Sequence, residues 1–140
     1  ELQGVPGASA TIDRGAGFHQ VADQSLQVAA SQTANFNRAE GMTVMENILQ
    51  SDGTIKGVFA HNDEMALGAV EAVAASGKDI KIVGFDATDD AQKAVKDGKM
   101  AATVAQKPDK MGETAIGTAV KIMAGETVVK SIPVEVELIK

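Results

Sequence analysis

The chain has 140 residues, of which 44% are apolar and 23% charged, a composition typical of one folded domain rather than of a disordered segment. A net charge of −6 and only four aromatic residues, all Phe, argue against nucleic-acid binding, which relies on basic surfaces and stacking rings. The absence of Cys excludes disulfides, thiolate metal sites and Cys nucleophiles, and no apolar run is long enough to span a membrane.

Segments typical of strands and helices alternate along the chain. Strands are predicted at 1–3, 26–34, 55–60, 80–85, 101–105 and 134–139. Helices are predicted at 9–22, 38–50, 64–75, 89–97 and 108–124. Ser9 is expected to cap the first helix, which should bury Ile12, Phe18 and Val21. Asp63 is expected to cap the third helix.

This alternation of helices with short, continuously apolar strands predicts an α/β fold. We expect a three-layer, Rossmann-like parallel sheet with helices on both faces. Right-handed crossovers place the carboxyl ends of all parallel strands at one edge of the sheet. Ligands of such sheets bind at that edge, so the functional residues are sought there.

Polar residues follow three of the predicted strands, another polar residue lies on the helix after the first strand, and two Phe residues lie after or at the end of strands. The candidates for a binding site are Arg14, Phe36, Asn62, Phe85, Asp86 and Gln106. Guanidinium, amide and carboxylate groups offer fixed donors and acceptors, which suit a small molecule rich in hydroxyl groups. Two Phe rings could flank the apolar faces of such a ligand.

Patterns typical of catalysis are weak in this sequence. His19 and His61 lack the spacing of a metal site, and the glycine turn at 4–7 lacks the residues of a phosphate loop. Asp89 and Asp90 are explained by the preference of carboxylates for a helix N-terminus. We therefore expect no enzyme activity, no metal and no cofactor, and a structural role for His61.

Four strings carry a resemblance to a known family. IDRGAGF (12–18), FAHNDEMALGAVEAV (59–73), IKIVGFDATDD (80–90) and AATVAQKPDKMG (101–112) occur in family-like order and spacing. With them the whole chain resembles the ribose-binding proteins of bacterial ABC sugar importers. In that family a sugar lies between two similar α/β lobes of the type I periplasmic-binding-protein fold, joined by a hinge.

The resemblance implies roles for the candidate residues. Arg14, Asn62, Asp86 and Gln106 would hydrogen-bond sugar hydroxyls, and Phe36 and Phe85 would flank the sugar ring. The ligand would be ribose or a closely related monosaccharide. Uptake would also require an ABC permease and an extracytoplasmic location.

The resemblance also implies how the chain is organised. Residues 1–106 would form the C-terminal ligand-binding lobe with its first strand truncated, and residues 107–140 a hinge-crossing segment, a helix and the final strand. The N-terminal lobe would be absent. The apolar face of the helix at 109–124 would then be exposed, and two copies of the chain could pair through it.

Two other classes of protein remain open. The effector-binding core of a LacI-type transcription regulator shares the fold and the strings like NDEMA and GFD, but the segment ATVAQ (102–106) fits the transport proteins better. A self-associating interaction module is the third class.

Overall fold

The computed structural model describes all residues 1–140 and contains six strands that alternate with five helices. The strands are β1 (Leu2–Gln3), β2 (Gln32–Thr33), β3 (Gly57–Phe59), β4 (Lys81–Asp86), β5 (Ala102–Ala105) and β6 (Glu137–Ile139). The helices are α1 (Ser9–Ser25), α2 (Arg38–Ser51), α3 (Asp63–Ser76), α4 (Asp89–Lys96) and α5 (Pro108–Met123). The predicted order of elements is confirmed.

The sheet is parallel except at one edge. β1 pairs with β2, and β3, β4 and β5 pair in that order, all in parallel. A parallel bridge between Leu2 and Ala60 joins the two parts, which gives the order β2-β1-β3-β4-β5-β6. β6 is antiparallel to β5. The carboxyl ends of β3, β4 and β5 therefore meet at one edge of the sheet.

The two faces of the sheet are covered unequally. The core joins one face of the strands, including Val58 and Ile82, to residues of α2 and α3 such as Met45 and Met65. Because side chains alternate along a strand, Phe59 belongs to the opposite face, where the Phe18 ring of α1 stacks on it at 5.1 Å between centroids. Helices lie on both faces, as predicted, but most of the buried core is on one side.

Glycines set the distance between α2 and α3. A Cβ added to Gly68 of α3 would lie 2.1 Å from the carbonyl oxygen of Arg38, and one on Gly41 of α2 would lie 2.7 Å from the Cα of Met65. The two backbones are therefore in direct contact, which leaves no space for a side chain at either glycine.

The predictions for α1 and for two strands were partly wrong. Ala8, not Ser9, occupies the cap position of α1, and no side chain bonds to the helix end. Ile12 and Val21 are 58% and 65% exposed, because α1 turns a narrower face to the sheet and its buried residues are small. The strand predicted at 26–34 contains only β2, and the one predicted at 134–139 contains only β6.

The last helix stands apart from the core. No residue of α5 is buried, and Ile116 and Val120 are 69% and 61% exposed. The following segment lines a shallow groove with one side of α5 through Val129, Lys130, Ile132 and Val134. No helix in the chain combines the length and the apolar character needed to cross a membrane.

Candidate functional site

The carboxylate of Asp86 lies at the centre of the predicted site, at the carboxyl end of β4. Its Oδ1 accepts hydrogen bonds from Nη2 of Arg14 at 3.2 Å and from Nε2 of Gln106 at 2.7 Å. Its Oδ2 accepts none, and the side chain is 31% exposed. One oxygen is thus fixed by two donors, while the other is free to accept from a ligand.

Arg14 links three parts of the site. Besides Asp86, its guanidinium donates through Nη1 to the carbonyl oxygen of His61 at 2.5 Å. It also lies 4.0 Å from the centroid of the Phe85 ring, a distance at which cation–π attraction is effective. Since Arg14 covers one face of that ring, Phe85 has at most its other face available for a sugar.

Asn62 and Phe36 form a second part of the site. The Asn62 Oδ1 accepts from the backbone N–H of Met65 and caps α3, while its Nδ2 donates to the carbonyl oxygen of Phe36 at 3.2 Å. The Phe36 ring packs directly over Gly4, where a Cβ would lie 2.0 Å from the ring. One N–H of the Asn62 amide remains without a protein acceptor.

The structure brings all six predicted residues to one edge of the sheet. Arg14, Phe85, Asp86 and Gln106 contact one another, and the adjacent residues His61 and Asn62 connect them to Phe36. The edge presents free acceptors and donors side by side, which matches the needs of neighbouring hydroxyl groups. The binding role of each residue stays a prediction.

Glu1 and His61 form a buried, hydrogen-bonded pair next to the candidate residues. Nε2 of His61 donates to Oε1 of Glu1 at 2.9 Å, both side chains being fully buried, and the Nδ1 of His61 accepts from the N–H of Gly4. Burial lowers the pKa of His61, and the acceptor role of Nδ1 fits a neutral ring. Burial alone would raise the pKa of Glu1, but hydrogen bonds, foremost from His61, lower it to about 2. The role expected for His61, support of the site or of the fold, stays a prediction.

The prediction that Asp63 caps α3 was wrong, because the neighbouring Asn62 does so. The Asp63 carboxylate is instead fully buried, where it accepts from the Thr103 hydroxyl at 2.7 Å and from the Thr88 N–H at 2.8 Å. Burial raises the pKa of this carboxyl group. Reasoning from the sequence missed Asp63 and Thr103 as parts of the site; the nearest signal was their presence in the strings that carry the resemblance.

A sizeable cavity lies away from these residues. It has a volume of about 760 Å³ and is bounded mainly by apolar residues at the amino-terminal end of the sheet, such as Ile55, Val58 and Leu26. None of the six candidate residues lines it. No group of three or more His, Asp or Glu side chains could hold a metal ion.

Parallel strands with polar groups gathered at their carboxyl ends place the chain among α/β ligand-binding lobes. Residues 1–127 match the family described as Periplasmic binding protein domain, and the chain belongs to that family.

Among the curated relatives are ribose import binding proteins. That of Bacillus subtilis is 55% identical over 138 residues, covering 99% of this chain and 45% of the relative. That of Escherichia coli is 50% identical over 141 residues, covering 99% and 48%. The chain thus spans about half the length of the curated relatives it matches.

Solved structures agree with the fold. A periplasmic solute-binding protein of an ABC transporter from Actinobacillus succinogenes, with bound D-allose, superposes with a TM-score of 0.91 at 32% identity. The match covers 99% of this chain and 50% of that one. A periplasmic ribose ABC transporter protein from Conexibacter woesei also gives a TM-score of 0.91, at 27% identity and 98% and 48% coverage. The predicted type I periplasmic-binding-protein lobe is confirmed.

Proposed function

We propose that this chain is the C-terminal lobe of a non-enzymatic, extracytoplasmic binding protein that delivers ribose or a close relative to an ABC permease. Asp86 carries the proposal: Oδ1 is fixed by Arg14 and Gln106, and Oδ2 is left free at the exposed edge. Hydrogen bonds to an ionised group are stronger than neutral ones, so this oxygen would hold a sugar hydroxyl firmly. The ribose import proteins among the relatives favour this interpretation over a transcription regulator.

The same proposal assigns a role to each of the two parts of the chain. Residues 1–106 contribute one wall of a sugar cleft, and residues 107–140 lead to the second lobe. The unburied helix α5 packs against that N-terminal lobe. Pairing of two copies through α5 is the competing outcome, which light scattering coupled to size-exclusion chromatography of the 140-residue chain distinguishes. A strict monomer counts against pairing.

The experiment that tests the proposal is calorimetric titration of the full-length, two-lobe protein with ribose. Asp86→Ala should weaken binding about a hundredfold or more, because it removes charge-assisted bonds worth about 1.5–3 kcal/mol each and leaves Nη2 of Arg14 without its acceptor. Asp89→Ala is the matched control, since Asp89 is an exposed carboxylate on the first turn of α4. Equal ribose affinity in the two variants would contradict the assignment of Asp86.

A further inference from the structure

We propose that Asp63 and Thr103 are positioning residues that hold the backbone of residues 86–88 in the conformation that presents Asp86 to a ligand. The inference deepens the proposed function and rests on it for the identity of the ligand. Neither residue reaches the free Oδ2 of Asp86; both act through the loop between β4 and α4.

The loop needs support because its backbone is unusual. Asp86 has a φ of 115° and Ala87 a φ of 55°, two consecutive residues in a region that side chains disfavour. Such a conformation persists only where the surrounding contacts determine it. Glycine at either position would relieve the strain, but glycine in place of Asp86 would also remove the carboxylate.

Side chains from three elements hold the backbone polar groups of this loop. The Ala87 N–H donates to the Thr103 hydroxyl oxygen at 3.2 Å, and the Thr88 N–H donates to Oδ2 of Asp63 at 2.8 Å. The Ala87 carbonyl accepts from Nε2 of Gln92 at 2.8 Å. The Thr103 hydroxyl in turn donates to Oδ1 of Asp63 at 2.7 Å. Asp63 and Thr103 thus form one unit, with α3 and β5 as its rigid supports.

The packing around Asp63 shows that its position is specific. A Cβ on Gly84 would lie 2.3 Å from Oδ1 of Asp63, and Gly84 pairs in register with Thr103 across β4 and β5. The carboxylate therefore lies against the bare backbone of the strand that ends in Asp86. The glycine two residues before Asp86 leaves the space that Asp63 occupies.

A contribution to stability alone explains this arrangement poorly. Asp63 is fully buried and forms no ion pair; its carboxyl group accepts hydrogen bonds from Thr103 and Thr88 and lies at the N-terminus of α3. Burying a carboxylate without a cation is unfavourable, and apolar residues would stabilise a core better. The bonds that Asp63 makes directly or through Thr103 all lead to residues 87 and 88, next to the ligand-facing carboxylate.

The first test measures amide hydrogen exchange in the 140-residue chain and requires no ligand. Thr103→Val removes the hydroxyl and should speed exchange at Ala87 and Thr88 at least tenfold relative to the amides of β4. Thr103→Ser restores the hydroxyl and should return exchange to within threefold of the original. Ile82→Val is the control, because Ile82 is a buried core residue on β4 that does not touch the loop. Exchange that stays unchanged in Thr103→Val, or rises equally in Ile82→Val, would overturn the proposal.

The second test separates this inference from the proposed function. In the full-length protein, Thr103→Val should weaken ribose binding at least tenfold, while Thr103→Ser and Ile82→Val stay within threefold. A protein that binds no ribose in any form refutes the proposed ligand, and the exchange data still decide whether the two residues hold the loop. Normal ribose affinity in a Thr103→Val protein whose loop exchanges rapidly would refute the positioning role.

Discussion

Gly84→Ala is the most direct test of how tightly the site is packed. Gly84 lies in β4, and no positive φ requires glycine there. The added methyl carbon would lie 2.3 Å from Oδ1 of Asp63, 3.0 Å from Cε of Met100 and 3.1 Å from Cβ of Ala66. The Met100 side chain can rotate away, but the Cβ of Ala66 is fixed to the backbone of α3, and Oδ1 of Asp63 is the closest contact. The Asp63 carboxylate must therefore move and weaken its bonds to the loop.

The expected cost has two parts. Inserting a methyl group into a packed core typically costs about 1–3 kcal/mol. Losing a hydrogen bond to an ionised group costs about 1.5–3 kcal/mol more. A total of about 2.5–6 kcal/mol is a large share of the roughly 5–15 kcal/mol that stabilises a typical domain. At roughly 3 °C per kcal/mol, the melting temperature should fall by about 8 °C or more.

Chemical denaturation of the 140-residue chain, followed by circular dichroism, measures this loss. Gly57→Ala is the matched control, because Gly57 is also a strand glycine and its added Cβ would meet only Lys81 O at 3.7 Å. The control should change the free energy of unfolding by less than about 1 kcal/mol, since glycine in a strand is itself unfavourable by about that amount. Equal stability of the two variants would refute the steric argument.

Three further predictions concern packing, pH and α5. Gly68→Ala should lower the free energy of unfolding by more than about 3 kcal/mol, because its Cβ would overlap the Arg38 backbone. Gly117→Ala, with open space around it, should raise the free energy of unfolding by about 1 kcal/mol. Equal denaturation midpoints for the two variants would contradict this prediction. Burial lowers the pKa of His61, so its neutral form is favoured in the folded chain and its contribution to the free energy of unfolding should be fully present above pH 6.5. Below pH 6.5 the free energy of unfolding should fall by up to about 1.4 kcal/mol per pH unit as the ring becomes protonated on unfolding. A His61→Gln variant whose free energy of unfolding depends on pH in the same way would exclude His61 as the cause. Ile116→Lys on the exposed face of α5 should change the free energy of unfolding of the 140-residue chain by less than about 0.5 kcal/mol. The same variant should bind a separately expressed N-terminal lobe more weakly than the original chain does. An unfolded variant would show that α5 packs within the 140-residue chain itself.

The order of elements and the edge that carries the site could be predicted from the sequence because both depend on local patterns. Short apolar runs predict strands, and the periodic spacing of Met45 and Ile48 correctly predicts the buried side of α2. Parallel connections then place Asn62, Asp86 and Gln106 at one edge, whatever the details of packing. The six candidates were found by this reasoning and by the resemblance together.

The details that could not be predicted depend on residues far apart in the chain. Asn62 and Asp63 are both good capping residues, and the sequence offers no local reason to choose between them. The choice is made by Thr103, forty positions later, whose hydroxyl engages Asp63 in the interior. Likewise, an apolar Ile12 or Val21 predicts a buried helix face, but the surface that the rest of the chain supplies to α1 leaves both exposed.

Two departures from local rules coincide at the end of β4. A strained backbone at Asp86 and Ala87 costs about 1–3 kcal/mol per residue, and a buried, unpaired carboxylate at Asp63 adds a further cost. If stability alone had shaped this region, glycine in the loop and an apolar residue in the core would have removed both costs. Both departures lie beside Oδ2 of Asp86, which has no protein donor, and the positioning role proposed above accounts for them: a loop held rigid before a ligand arrives would not need to be ordered by binding. The loss of affinity on removing the Thr103 hydroxyl then measures what that rigidity contributes.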